Sequence, residues 1–400
     1  MECKAINAET MGRSNQLVIL NLIRKNPGIT RRELVQKTGL DPSTVTKIIY
    51  KLISKDLIKE TGDKRGKGPG RRSIGLSIKK SSATVIISRI GVETTELGLG
   101  YIDNSIEILK KLPTIHNRDV FLSQFTDSIS EIYFSFRKKY NIVAISVSLP
   151  GIVNRNGTYI HILPHLGWKD VEFGEILSRR LPDSDFPILI ENEAKLSLLT
   201  EITINHKITG LQNGIYVYIS QGIGGAFLIN GQIFLGHNFV AGEIGHMKIN
   251  EDGPKCHCGN NGCWETYLSI ERINKKYEDL GHKLKGKNSI EKFINLISLV
   301  KKDKGVQRVI EEMTYYLSLG IINLVNILNP EFIIIGGMGH LFPDKILEDL
   351  KEMVKKRALH PAIEDLKILK SSMGISESTL IGCTISGIEY FSKEAILSEN

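Results

Sequence analysis

Residues 214–231 read GIYVYISQGIGGAFLING. An apolar run rich in Ile, Tyr and Val stops at Ser220 and Gln221, and glycines follow at 222, 224 and 225. Four more short apolar runs end in glycine or polar residues: ATVIISRIG (83–91), IVAISVSLPG (142–151), FPILIENEA (186–194) and EFIIIGGMG (331–339). Helical stretches separate them, among them the apolar YYLSLGIINLVNILN (315–329), which Pro330 ends because proline has no N–H to give. Strands alternating with helices predict an α/β protein whose strand ends carry a site. That pattern occupies the chain from about residue 83 onward.

Composition narrows the class. With 400 residues, 41% hydrophobic and 24% charged, the chain has material for about two or three domains of roughly 150 residues. Five cysteines are too few for a disulfide framework, and an odd count cannot pair completely, so reduced thiols and a cytoplasmic location are expected. No apolar stretch reaches the roughly 18 residues of a membrane span, and MECKAINAETMGRSNQ lacks the apolar core of a signal peptide. No membrane partner is expected. Charge is unevenly spread: residues 1–80 hold 18 Lys and Arg against 7 Asp and Glu, leaving a slight acidic excess on the rest. A basic head on a mildly acidic body suits a polyanion-binding module joined to something else.

The head has helix-turn-helix spacing. QLVILNLIRK (16–25) is helical in period and stops before Pro27 and Gly28. TRRELVQKTG (30–39) opens with Thr30, has Glu33 three residues on for a reciprocal cap, and closes at Gly39. A third helix follows, with Asp41 as the expected cap and Pro42 in its first turn. Val45, Ile48, Ile49, Leu52 and Ile53 form its expected buried stripe, leaving Ser43, Thr44, Thr46, Lys47, Tyr50 and Lys51 outward. Hydroxyls and lysines near the start of a second, recognition helix match the way such a helix enters the major groove of operator DNA. LIKETGDKRGKGPGRRSIGLSI (57–78) reads as strand, basic loop and strand, a wing from which Arg71 and Arg72 reach phosphates or the minor groove. The expected division is a winged helix-turn-helix at 1–80 and an α/β body at 81–400.

Three of the five cysteines fall in CHCGNNGCWE (256–265). Cys256, Cys258 and Cys263, with His246 ten residues upstream, supply three thiolates and an imidazole, the closed tetrahedral set of a structural Zn2+. Glycines at 259 and 262 let the loop turn tightly enough for the thiolates to converge. Cys3 and Cys383 lie outside this spacing and read as a tail residue and a packed core thiol.

Read together, these motifs resemble the ROK family, named for repressors, open reading frames and kinases. The resemblance covers nearly the whole chain and rests on SLPGIV (148–153), LPHLGW (163–168), ENEA (191–194), GIGGAFLINGQIF (222–234), AGEIGH (241–246), CHCGNNGCWE (256–265) and LNPEFIIIGG (328–337). It implies two α/β lobes of the actin-like, ribonuclease H-like sugar kinase fold with sugar held in a cleft between them. It also implies a winged helix at the N-terminus of the repressor members. Carried over motif by motif, the family's sugar contacts fall on Asn192, Glu193, Glu243, His246 and Glu265. Carboxylates and an amide suit adjacent sugar hydroxyls, since a site built to hydrogen-bond a hydroxyl is left unpaired without it. Trp168 reads as a core or hinge residue.

The departures from the family's kinases decide the expected function. Their Asp-x-Gly-Gly-Thr-like phosphate loop is replaced by SRIGVETTE (88–96), with Arg89 at the acidic position. Their catalytic Asp is replaced by Glu193, and Gln221 stands where a Thr is common, although Gly222, Gly224 and Gly225 remain. Glu193 shifts a general base by about one methylene, against a hydrogen-bond reach of roughly 2.6–3.2 Å. No catalytic residue is therefore assigned. ENEA resembles the xylose-repressor branch, so the expectation is a repressor that senses a monosaccharide such as xylose or glucose and acts as a homodimer or higher homo-oligomer. The alternatives are an ATP-dependent sugar kinase fused to a DNA-binding head, and a repressor whose inducer is a phosphotransferase-system protein.

Overall fold

The computed structural model describes residues 8–64, 73–154, 156–181 and 184–397. The head contains α1 (Ala8–Lys25), β1 (Ile29–Thr30), α2 (Arg31–Thr38), α3 (Pro42–Ser54), β2 (Ile58–Lys64) and β3 (Ser73–Ile78). α1 begins before the expected Gln16, because a helix nucleated by its apolar turns propagates back through a stretch that contains no proline and tolerates the single Gly12. Ile19, Leu20 and Ile23 of α1 meet Leu34 of α2, Val45, Ile48, Ile49 and Leu52 of α3, and Leu76 of β3 in one core. Ile53 departs from expectation: it is half-buried at the rim of that core.

The caps divide in the same way. The Thr30 N–H donates to Glu33 Oε2 at 2.7 Å and the Glu33 N–H donates to Thr30 Oγ1 at 3.3 Å, the expected reciprocal pair. Gly39 ends α2 at φ 68°, a left-handed turn that suits glycine. Asp41 stands at the N-cap of α3, but its side chain makes no capping hydrogen bond. Proline at the next position removes one unpaired N–H of the first turn, while those of the two residues after it, which such a cap would satisfy, remain. β1, β3 and β2 form a three-stranded sheet in that order, and β2 pairs antiparallel with β3 as the stem of the wing. Arg71 and Arg72, expected on the wing, and Cys3 lie outside the described residues.

Beyond the head come β4 (Thr84–Ile90), β5 (Thr94–Tyr101), β6 (Ile106–Pro113), α4 (Arg118–Phe136), β7 (Ile142–Leu149), β8 (Ile152–Val153), β9 (Ile160–Leu163), β10 (Trp168–Val171), α5 (Phe173–Arg180) and β11 (Ile188–Asn192). Then follow α6 (Glu193–Ile204), β12 (Gly214–Ile219), β13 (Ile223–Ile229), β14 (Gln232–Phe234), α7 (Glu265–Leu268), α8 (Ile270–Asp279), α9 (Ser289–Leu299), α10 (Lys304–Leu328), β15 (Phe332–Gly337), α11 (Asp344–Arg357), β16 (Lys367–Lys370) and α12 (Ile375–Leu397). They divide into two compact units. One comprises the chain up to Pro150, Asn156–Ile190 and the chain from Cys383; the other comprises Gly151–Arg155 and Glu191–Gly382.

Each unit holds a five-stranded sheet, and the two sheets share a plan. The first runs β6-β5-β4-β7-β11 and the second β14-β13-β12-β15-β16. In both, three consecutive strands pair antiparallel and the first of them pairs parallel with the fourth. β12 and β15 are buried at every position, which is why their sequences are continuous apolar runs instead of alternating ones.

The head belongs to the first unit. Phe391 near the end of α12 packs against the head's core, and Arg24 of α1 is buried where Glu389 of α12 acts on its charge. Trp168 is a core residue of this unit: its ring lies 5.1 Å from that of Phe121 and its Nε1–H donates to His116 O at 3.0 Å. Cys383 is fully buried, its Sγ 3.6 Å from Ser88 O, as the packed thiol expected.

In the second unit α10 starts at Lys304, ahead of the apolar segment visible in the sequence, because Asp303 caps it through the Val306 N–H at 3.0 Å. Gly320 on α10 faces Trp264, whose indole N–H donates to Tyr316 O at 2.8 Å. A Cβ at 320 would lie 2.1 Å from that fully buried ring. Gly320→Ala is expected to destabilise the second unit by about 1–3 kcal/mol, as overpacking does; a melting temperature equal to wild type would show that the ring moves freely. No helix among the described residues is long and apolar enough to cross a membrane.

Candidate functional site

The site in the second unit is assembled from four chain segments. The first is the end of β11. Asn192 caps α6 through Oδ1, which accepts the Ala194 N–H at 2.8 Å, while its Nδ2 donates to Gly151 O at 3.2 Å. Glu193, the first residue of α6, is buried. Lys195 is buried as well: Nζ donates to Phe239 O at 2.8 Å and lies 3.5 Å from Glu191 Oε1. Sequence reasoning assigned Lys195 no role. The loop it holds is conformationally demanding, with Phe239 at φ 64° in the left-handed region, a conformation kept where surrounding structure enforces it.

The second segment is the turn from β12 into β13, where the Ser220 N–H donates to Gly222 O at 2.9 Å. A Cβ on Gly225 would meet Ile244 at 2.5 Å and one on Gly242 would meet Gly225 O at 2.1 Å. Packing between this turn and the third segment therefore accounts for Gly225. That third segment carries Glu243 into a 3-10 turn, Ile244–His246. The Glu243 side chain is 39% exposed, yet the protein packed around it desolvates the carboxyl and keeps its pKa above the ordinary value, with His246 and Lys195 offsetting only part of the rise.

The fourth segment is the cysteine loop. The Cys256 N–H donates to Asn260 O at 2.8 Å and the Gly259 N–H to Cys256 O at 3.1 Å, closing a tight turn with Gly259 at φ 96°. Gly262 has no room for a side chain, since a Cβ would lie 1.5 Å from Asn250 O. The result brings the sulfurs together: Cys258 Sγ is 3.7 Å from Cys263 Sγ, and Cys256 Sγ is 3.6 Å from His246 Nδ1. The ligand atoms of His246, Cys256, Cys258 and Cys263 all lie within 4.8 Å of one another. Such spacing and donor chemistry fit a tetrahedral metal set with thiolate and imidazole ligands. The Asn260 N–H draws the Cys258 thiol down to about 7, whereas burial holds Cys256 well above the ordinary thiol range.

Glu265 opens α7 two residues after the last cysteine and is buried. Its Oε1 accepts from the Cys256 thiol at 3.2 Å and lies 3.0 Å from His257 Nδ1 and 3.9 Å from His246 Nδ1; Oε2 faces the Ile223 N–H at 3.5 Å. His246 Nε2 is 4.0 Å from Glu243 Oε2. Of the sequence-derived residues, Glu243, His246 and Glu265 thus converge, while Asn192 and Glu193 sit at the head of α6, whose Ala194 Cβ would lie 3.6 Å from a Cβ placed on Gly224 of β13. His257 was missed, although its place between two cysteines was the available signal.

In the head, Ser43, Lys47 and Tyr50 of α3 are exposed, whereas Thr44, Thr46 and Lys51 are half-buried. The Thr46 hydroxyl is turned back to Pro42 O at 2.7 Å. Arg31 of α2 adds a cation beside them, 6.0 Å from the Tyr50 ring centroid and 2.7 Å from Glu60. In the first unit, Arg89 lies within β4, directly across from Glu96 of β5, and Glu96 pairs with Lys111 at 2.8 Å.

Comparisons with known proteins agree with this geometry. The model described as ROK family matches residues 88–385, and the winged helix-turn-helix DNA-binding model matches residues 13–59. The xylose repressor of Bacillus spizizenii is 29% identical over 387 residues, covering 94% of this chain and 95% of that protein. The DNA-binding transcriptional dual regulator NagC of Escherichia coli is 26% identical over 373 residues, covering 92% and 91% respectively. Among solved structures, a ROK family transcriptional regulator described as a homolog of E. coli Mlc superposes with a TM-score of 0.78 at 24% identity, over 97% of this chain and 98% of that one. With the family match spanning the strands, the glycine turn and the cysteine loop, the chain belongs to the ROK family and carries a winged helix-turn-helix ahead of its ROK domain.

Proposed function

We propose that this chain is a sugar-responsive DNA-binding repressor of carbohydrate-utilisation genes. The observation that carries this reading is the end-to-end likeness to named repressors, head included. α3 is the recognition helix, with Ser43, Thr44, Thr46, Lys47 and Lys51 toward DNA and Arg71 and Arg72 on the wing. Asn192, Glu193, Glu243, His246 and Glu265 bind a monosaccharide such as xylose or glucose. Cys256, Cys258, Cys263 and His246 hold a structural Zn2+. A homodimer presents two heads to two half-sites about one helical turn, or a multiple of it, apart.

Sugar controls DNA affinity only so far as it binds one conformation better than another, because differential affinity alone shifts a population. Phosphoryl transfer is absent in this reading. Support comes from Arg89, a strand residue opposite Glu96 where the family's kinases carry an acidic phosphate loop, and from Glu193 in place of the kinase Asp.

The test is a thermal melt of purified protein against a panel of monosaccharides, with and without Mg-ATP, with ADP assayed in the same wells. A sugar at about 100 times its dissociation constant stabilises by roughly 2.7 kcal/mol. The expected outcome is a shift with one sugar and no ADP. A shift with ADP would make the protein a kinase with a DNA-binding head, and no shift with any sugar would turn the search to a phosphotransferase-system protein as inducer.

A further inference from the structure

Glu265 is a buried carboxylate whose neighbouring donors come from the cysteine loop and the glycine turn. Its side chain is 10% exposed, so it needs donors inside the protein. Two side chains reach Oε1, the Cys256 thiol at 3.2 Å and His257 Nδ1 at 3.0 Å; the third donor, the Ile223 N–H, is at 3.5 Å from Oε2. His257 Nδ1 is the nearest side-chain nitrogen to Glu265 among the described residues, and it also lies 3.9 Å from Cys256 Sγ. Its ring packs edge-on to His246, with centroids 5.3 Å apart at 74°. About half of its side chain is exposed, while Nδ1 faces the buried carboxylate.

We propose that His257 is a positioning residue for sugar binding. As the Nδ1–H tautomer it donates to Glu265 Oε1 beside the Cys256 sulfur and keeps Oε2 directed at the turn around Ile223. This inference rests on the reading of Glu265 as a sugar contact. It assigns His257 no metal bond: the three cysteines and His246 already complete a four-ligand set.

The experiment uses the full-length zinc-loaded protein and titrates D-xylose, D-glucose and N-acetylglucosamine into wild type, His257→Ala, His257→Asn and Glu265→Gln. Cobalt-substituted samples give the visible spectrum of the thiolate set. His257→Ala is expected to weaken binding of the sugar recognised by wild type about tenfold, with metal content and cobalt spectrum unchanged. His257→Asn, whose amide nitrogen takes the place of Nδ1, is expected to recover binding to within about threefold of wild type. If His257→Ala binds sugar like wild type while Glu265→Gln does not, or if His257→Asn fails to recover, the positioning role is wrong and the site assignment stands. If Glu265→Gln binds every sugar as wild type does, or wild type binds none, the site assignment falls and the proposal with it.

Discussion

Cys258→Ser protein is expected to purify with its zinc largely lost and to bind sugar at least about tenfold more weakly than wild type. The two losses belong together because ligands and sugar residues alternate along the same short segments. Glu243 precedes His246 in one turn, and Glu265 follows Cys263 by two residues. Backbone bonds also shape the loop between them, among them the Ile249 N–H to Gly262 O at 2.9 Å and the Trp264 N–H to Met247 O at 2.8 Å. A metal held by Cys256, Cys258, Cys263 and His246 would lock that convergence, and without it the carboxylates that flank the cysteines lose their fixed spacing. Metal analysis beside sugar titration checks this. Wild-type protein stripped of metal that still binds sugar with full affinity would refute the structural role.

The second large effect concerns DNA. Lys47→Ala combined with Tyr50→Ala is expected to weaken binding to a DNA fragment selected by wild type at least about tenfold and to lower the salt dependence by about one counterion. Both side chains are exposed on α3, whose opposite face is committed to the core through Val45, Ile49 and Leu52, each fully buried. Removing them therefore changes the surface and leaves the fold. Sugar affinity should stay at the wild-type value, since both positions lie on the head. Arg71→Ala in the wing should lower DNA affinity in the same direction by a smaller amount. Unaltered DNA binding at matched salt in both variants would overturn the recognition surface.

Much of this was legible from local signals. The Thr30–Glu33 cap, the left-handed stop at Gly39 and the buried stripe of α3 each depend on residues a few positions apart, where period and side-chain chemistry act directly. The metal set was legible for a related reason: three thiols within eight residues have few other uses in a chain with five cysteines. Local signals also had limits. Asp41 has the right chemistry for a cap and makes no capping bond, and α10 extends well beyond its apolar half.

The sequence by itself determined the head, the α/β class of the body, the membership of the family and the Cys and His residues that the fold gathers into one cluster. Tertiary structure alone decided the common strand order of the two sheets, because pairing partners follow from packing between distant segments and leave no local trace. It decided that the head shares a compact unit with the end of α12, where Phe391 and Glu389 reach the head from the far end of the chain. It also decided which groups surround the candidate sugar carboxylates. Lys195 meets Phe239 across 44 residues, and His257 meets Glu265 through a loop whose shape depends on glycines and long-range contacts, so neither contact is encoded in spacing that a linear reading can use.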